Sequence, residues 1–100
     1  MKYKLELLED ALNDMIESFV WYESQKKGLG GEFYFCIKDG LKRLRGTPKR
    51  FQKIFLNVRR LVLKKFPFNI FYIINENNDI IKIIAIYHNS RSPLQWKNRI

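Results

Sequence analysis

Apolar and polar residues alternate from Lys2 to Leu7, with Tyr3, Leu5 and Leu7 on one side and Lys2, Lys4 and Glu6 on the other. That is the period of a short, half-buried strand. From Leu8 the period changes: Leu8, Leu12, Met15, Phe19 and Tyr22 recur at spacings of four and three, while Glu9, Asp10, Asp14 and Glu17 fill the opposite face. This predicts an amphipathic helix. Its acidic residues crowd the first turns, where they complement the partial positive charge of a helix N-terminus, and Lys26-Lys27-Gly28 ends it. Gly28-Leu29-Gly30-Gly31 reads as a break, after which Phe33, Ile37, Leu41 and Leu44 again follow helical spacing until Gly46-Thr47-Pro48. The two helices form a helical hairpin. Gly40 inside the second costs about 1 kcal/mol relative to Ala, which a close approach of the two helices would explain.

Beyond Pro48 the texture turns β-branched and aromatic, predicting strands over 51–58, 59–63, 66–74 and 80–87, with 51–63 readable as one bent strand or two. Asn75-Glu76-Asn77-Asn78-Asp79 is a polar loop suited to an antiparallel hairpin. The run from Ile80 to Ile86 is apolar on both faces and belongs at the centre of a sheet, with the helical hairpin over one face. The expected architecture is α+β: β-α-α-β-β-β or one strand more, an antiparallel sheet against an N-terminal helical hairpin.

At 100 residues and 46% hydrophobic content there is room for one core in one domain. A chain this short buries roughly 60–65% of its unfolded surface, so a deep cavity for a large cofactor would consume that core. With Cys36 the lone cysteine and His88 the lone histidine, no intramolecular disulfide and no Cys/His zinc set can form. No metal or cofactor is expected, and a reducing compartment is. The acidic N-terminal stretch is unlike a signal peptide, and no apolar run reaches the ~18 residues needed to span a bilayer. Cytoplasmic location and no membrane partner are the expectations.

The net charge is +9, and its distribution is uneven. Lys and Arg against Asp and Glu number 2 against 6 in residues 1–24, 13 against 2 in residues 25–66, and 4 against 2 in residues 67–100. The middle of the chain is either a solvated basic face or a surface for a polyanionic partner.

Two stretches could carry chemistry. In the first, running from Tyr87 to Trp96, the chain leaves the sheet bearing His88, Arg91 and Trp96. His88 could transfer protons near neutral pH or merely close a strand, Arg91 could clamp a phosphate or carboxylate, and Trp96 could cap the core edge or stack on a base. The second spans Lys42 to Lys53 and continues through Arg59-Arg60 and Lys64-Lys65. Its cations, Lys49, Arg50 and Lys53 among them, suit a phosphate backbone, although Phe51 and Phe55 sit at strand spacing and read better as core. In a regular strand Arg59 and Arg60 point to opposite faces, so only one can serve a given site. The sequence has no glycine-rich phosphate loop, HxxxH, CxxC or nucleophile elbow.

With Phe66-Pro67-Phe68-Asn69-Ile70-Phe71-Tyr72, the hairpin and Ile-rich strand after it, and His88-Asn89-Ser90-Arg91-Ser92-Pro93-Leu94-Gln95-Trp96, the chain resembles over nearly its whole length the RelE/ParE family of bacterial type II toxins. Ala11-Leu12-Asn13-Asp14, Trp21-Tyr22-Glu23 before Gly28-Leu29-Gly30, and Pro48 add to the resemblance. It implies a growth-arresting toxin of a plasmid-stabilisation type module, neutralised in a toxin–antitoxin hetero-oligomer by a cognate acidic antitoxin. That partner would lie on the stripe Leu12, Met15, Phe19 and Tyr22.

RelE-like members are metal-independent, ribosome-dependent mRNA endonucleases, whereas ParE-like members inhibit DNA gyrase without hydrolysis. In the stretch where RelE-like chains carry a Lys/Arg cluster and a Tyr, this chain has His88, Asn89 and Arg91, with Gln95 or Trp96 near the Tyr position. That pattern looks ParE-like and implies target contacts through Lys49, Arg50, Arg59, Arg60, Arg91 and Trp96. Under the alternative, nuclease reading, His88 would move protons, with Arg91, Arg60 and Lys53 on the phosphate.

Overall fold

A computed structural model describes residues 2–92 and 95–100. Strand β1 (Lys4–Leu7) leads into helices α1 (Glu9–Gln25) and α2 (Leu29–Gly46) and a 3-10 turn at Pro48–Arg50. Strands β2 (Lys53–Phe55), β3 (Val58–Val62), β4 (Phe68–Asn75) and β5 (Ile80–His88) follow, and a 3-10 segment, Gln95–Arg99, ends the chain. The sheet order is β1-β5-β4-β3-β2. The α+β class and the helical hairpin match the sequence expectation; the sheet, however, is mixed, because β1 runs parallel to β5 while every other pairing is antiparallel. Helices α1 and α2 carry the chain from β1 to β2 at the opposite edge of the sheet, and β1 lies as a parallel edge beside β5.

Residues 51–63 form a hairpin of two strands joined at Leu56-Asn57, not a strand from 51 to 58. Pro48 starts the 3-10 turn, and the guanidinium of Arg59 donates to the carbonyls of Lys49 (2.9 Å) and Phe51 (2.7 Å), which shortens β2. β5 lies inside the sheet, between β1 and β4, with β4 in the middle place; Ile81 and Ile83 through Tyr87 are all buried. Phe71 pairs with Ala85 and Tyr72 with Ile83, so Ile84 is the extra residue of a bulge. Ile84 and Ala85 therefore both join the cluster on the face away from the helices, while Ile83 and Ile86 join the helix-side core.

The glycines act differently from the expectation. The break between helices is Lys26–Gly28, with Gly28 at φ 91°, and α2 already includes Gly30 and Gly31. The carboxylate of Glu23 accepts from the N–H groups of Gly28 and Gly30, so α1 caps the start of α2. A Cβ on Gly30 would lie 2.8 Å from the carbonyl of Phe19, which makes Gly30, not Gly40, the residue that lets the helices approach. A Cβ on Gly40 would instead meet Leu63 and Ile70 of the sheet side, at 3.0 and 3.1 Å.

Helix α1 is rotated from its predicted setting. Ala11 and Asp14 are buried, Met15 and Tyr22 are half-buried, and Leu12 and Phe19 face solvent with Ile16, Val20 and Trp21. The inward face of the helix thus carries Ala11, Met15 and Tyr22 against the core together with the buried Asp14.

Tyr72 ties the sheet to the 3-10 turn, its buried hydroxyl donating to the carbonyl of Pro48 at 2.6 Å. Burial pushes its phenol up to about 12, Arg59 opposing. The neutral phenol's contribution is therefore complete below about pH 10 and lost as pH rises through about 12, roughly 2–3 kcal/mol in all. Urea unfolding of wild type and Tyr72→Phe across that range should show the wild type losing the extra stability; parallel curves would refute the assignment.

Candidate functional site

The face of the sheet away from the helices is floored by Val58, Phe71, Ile84, Ala85 and Tyr87. Trp96, carried by the C-terminal 3-10 segment, covers this floor with ring centroids 6.3 Å from Phe71 and 5.9 Å from Phe55. It is fully buried. This agrees with a core-edge cap and excludes Trp96 as a target contact or stacking platform. Pro93 and Leu94 of the same motif lie outside the described residues.

Cations rim that floor. Arg60 stands beside Phe71 in register, on the same face as Val58, and its side chain has no hydrogen bond or ion pair among the described residues. Lys97 lies over the Phe55 ring at 4.4 Å. Arg91 and Arg99 flank Tyr87, their guanidinium carbons 4.0 and 5.0 Å from its ring centre. Burial raises the Tyr87 phenol, and the two guanidiniums pull against that. An open groove of about 650 Å3 runs here past Asp10, Arg91, Gln95, Lys97 and Arg99.

The clasp of this corner is Asp14. Strand β1 stops opposite Ile83, leaving the edge of β5 beyond it without a strand partner. Asp14 accepts there from the N–H of Ile86 (3.1 Å) and from both terminal nitrogens of Arg99 (2.6 and 3.0 Å), while Arg99 also donates to the carbonyl of Ile84 (3.0 Å). A carboxylate and a guanidinium thus complete the edge that β1 is too short to cover. The bond to Asp14 raises the Arg99 guanidinium further. The helical period sets Asp14 on the solvent face and gives Arg99 no part; nothing in it marks a buried acid whose partner lies 85 residues away.

Arg59 and Arg60 do point to opposite faces. Arg59 is committed to the carbonyls of the 3-10 turn and helps line a second basic groove of about 340 Å3 with Lys49, Lys53, Asn57 and Glu76. Lys49 pairs there with Glu76, whose carboxylate is lowered chiefly by that bond. Arg50 is exposed nearby.

The structure does not bring the nuclease set together. His88 lies on the helix side, edge-on to Phe68 at 5.3 Å, with Nδ1 accepting the N–H of Ser90 at 3.0 Å. Arg60 is on the opposite face, Lys53 belongs to the β2 edge, and Arg91 leans on Tyr87 and donates to Gln95. On α1, Met15, Ile16 and Phe19 meet Tyr34 around an apolar groove of about 200 Å3. Among the described residues no helix is long and apolar enough to cross a membrane, and no three His, Cys, Asp or Glu side chains are grouped to hold a metal.

No protein-family model and no curated protein sequence matches the chain. Solved structures do. A chain of the chromosomal ParDE toxin–antitoxin system from P. aeruginosa superposes with a TM-score of 0.77 at 18% identity, over 87% of this chain and 96% of that one. A mutant of the E. coli toxin RelE in complex with an antitoxin RelBc peptide gives 0.66 at 14% identity, over 100% and 96%. The intact E. coli RelBE toxin–antitoxin complex gives 0.60 at 13%, over 89% and 99%. At these identities the likeness is one of architecture, and in architecture the chain has the fold of the RelE and ParE toxins.

Proposed function

We propose that this chain is the toxin of a type II toxin–antitoxin module of the ParE-like kind, acting in the cytoplasm by binding a cellular target such as DNA gyrase. The carrying observation is the helix-free face of the sheet. Its aromatic floor is closed by Trp96, its rim presents Arg60, Lys97 and Arg91, and His88 lies on the other side of the sheet. Such a face suits electrostatic docking and lacks the juxtaposed proton-transfer group that cleavage by 2′-hydroxyl attack would need. The better superposition on the ParDE chain than on the RelE structures supports the same branch. A cognate acidic antitoxin would cover the apolar stripe that α1 leaves exposed, contacting Leu12 and Phe19 fully and Met15 and Tyr22 at their edges.

The test pairs two assays on the purified protein: gyrase supercoiling, and cell-free translation with message integrity read by primer extension with and without ribosomes. Inhibited supercoiling with intact message is expected. Ribosome-dependent cuts would overturn the proposal in favour of an mRNA interferase.

A further inference from the structure

The loop joining β2 to β3 has two residues, Leu56 and Asn57, between the paired Phe55 and Val58. Leu56 has φ 51°, in the left-handed region that the first central position of so tight a hairpin turn requires and that Gly, Asn and Asp take at least cost. Among the described residues the other positions with φ of this kind are Gly28 and Asp79, residue types that adopt it readily. The leucine Cβ makes the conformation costly, and packing within the chain does not offset that cost. Leu56 belongs to neither core cluster and is 76% exposed, more than any other large apolar side chain among the described residues. Phe35, at 71%, stands on a regular helix and carries no backbone strain. Strain held where no internal contact offsets it points to a role outside the fold.

The surroundings of the turn indicate what meets it. Phe55, next in the chain, lies 5.9 Å from the Trp96 ring and under Lys97 at 4.4 Å, and Arg60 stands on the same face of the same hairpin. The tip therefore continues the cationic rim of the helix-free face. Glu76, the carboxylate lining the neighbouring groove, is bound to Lys49, so the net charge around the hairpin is positive and complements an acidic partner. An aliphatic knob gains from such a partner only by leaving water, which requires an apolar recess, and it has no flat face on which a base can stack. The rings of this corner offer no such face either, since Trp96 and Phe71 are buried and Lys97 lies over Phe55. A protein surface supplies both the recess and the carboxylates.

We infer that Leu56 is the apolar anchor of the docking face, inserted into a hydrophobic recess on a protein partner whose recess is rimmed by carboxylates. This rests on the reading that the target binds the helix-free face, and it adds the chemistry that the target presents there. Arg60 and Lys97 steer and orient the encounter, while burial of Leu56 slows release.

The test compares the full chain with Leu56→Gly, Leu56→Asn and the apolar control Leu56→Met in thermal melting, growth arrest on induction and inhibition of gyrase supercoiling. Gly and Asn fit the turn, so both variants are expected to melt at or above the wild-type temperature, by up to about 6 °C. The concentration needed to inhibit, and the induction level needed to arrest growth, should nevertheless rise at least about tenfold, with Leu56→Met staying within about threefold of wild type. Gly and Asn variants as potent as the wild type would overturn the anchor, as would melting temperatures lowered by more than about 2 °C, which would make Leu56 a packing residue. A wild type that arrests growth and leaves supercoiling untouched would remove gyrase as the target, and Leu56 would then stand or fall on growth arrest alone. The same chains are titrated with a short DNA duplex and with single-stranded RNA. Nucleic-acid binding that Leu56→Gly weakens as much as it weakens inhibition would place a nucleic acid at the tip and refute the protein recess.

Discussion

Asp14→Ala is expected to destabilise the protein by about 3–5 kcal/mol, the largest effect of any single substitution on α1. The carboxylate is 7% exposed and satisfies three donors, the Ile86 N–H and both ends of the Arg99 fork. Removing it leaves a guanidinium whose side chain is only 15% exposed facing Asp10 at 3.7 Å, and leaves an edge N–H of β5 without its acceptor. A largely buried guanidinium left with only the exposed Asp10 and the Ile84 carbonyl costs more than the pair contributed, because its desolvation is no longer fully offset. In a domain of this size each kcal/mol moves the midpoint by roughly 4–8 °C, so a fall on the order of 15–30 °C should appear in a thermal melt. Since Arg99 anchors the segment bearing Trp96, the buried indole should also shift its emission to the red. Arg99→Met combined with Asp14→Ala should recover part of the loss, as both charges are then gone. A fall of only a degree or two in the single variant would mean that the edge of β5 is held by something else.

This clasp shows which features could be read from the sequence. Strand and helix order, the interior place of β5 and the hairpin after Ile74 follow from local periodicity and turn chemistry, which depend on neighbours in the chain. The setting of α1 does not. Leu12, Met15, Phe19 and Tyr22 make a good helical stripe, yet the helix turns Ala11 and Asp14 inward, where Asp14 meets an arginine from the other end of the chain and a backbone donor of β5 that no local pattern reveals. The exposed Leu12 and Phe19 mark the apolar surface that a partner would cover. The helix-to-helix approach expected at Gly40 occurs at Gly30, and the tight neighbours of Gly40 are Leu63 and Ile70 of the sheet side, a contact that no pattern in the chain announces.

The candidate site was legible in its parts and not in their arrangement. The sequence marks Arg60, Arg91 and His88 one by one, and alternation alone separates Arg59 from Arg60. That His88 falls on the helix side follows from its parity with Ile86, a residue whose face is known only once the bulge at Ile84 has been placed. Lys97 carried no signal at all, since its position over Phe55 depends on how the chain returns after Ser92.

Replacing Arg60 and Lys97 together with Glu should abolish target binding without unfolding the protein. Neither side chain has an ion-pair partner to lose among the described residues, and the Lys97 contact with the Phe55 ring contributes only about 0.5–1 kcal/mol, so the melting temperature should fall by a few degrees at most. Across an interface, close charge pairs couple by about 1.5 kcal/mol or more each, and reversal adds repulsion to the loss. Two such sites give at least about 3 kcal/mol, or roughly a hundredfold rise in the concentration needed to inhibit supercoiling. Because the chain is so basic, general attraction to an acidic target must be separated from this local effect. Lys26→Glu with Lys27→Glu changes the net charge equally at the exposed α1–α2 turn, far along the chain from the sheet face. That control should lose activity only to the extent that long-range steering contributes, a loss that disappears at high salt. If both double variants weaken inhibition equally, the sheet face is no special docking surface and the charge acts only from a distance. If only the Arg60 and Lys97 pair does so, and the deficit persists at high salt, the rim around Phe71 and Trp96 is where the target sits.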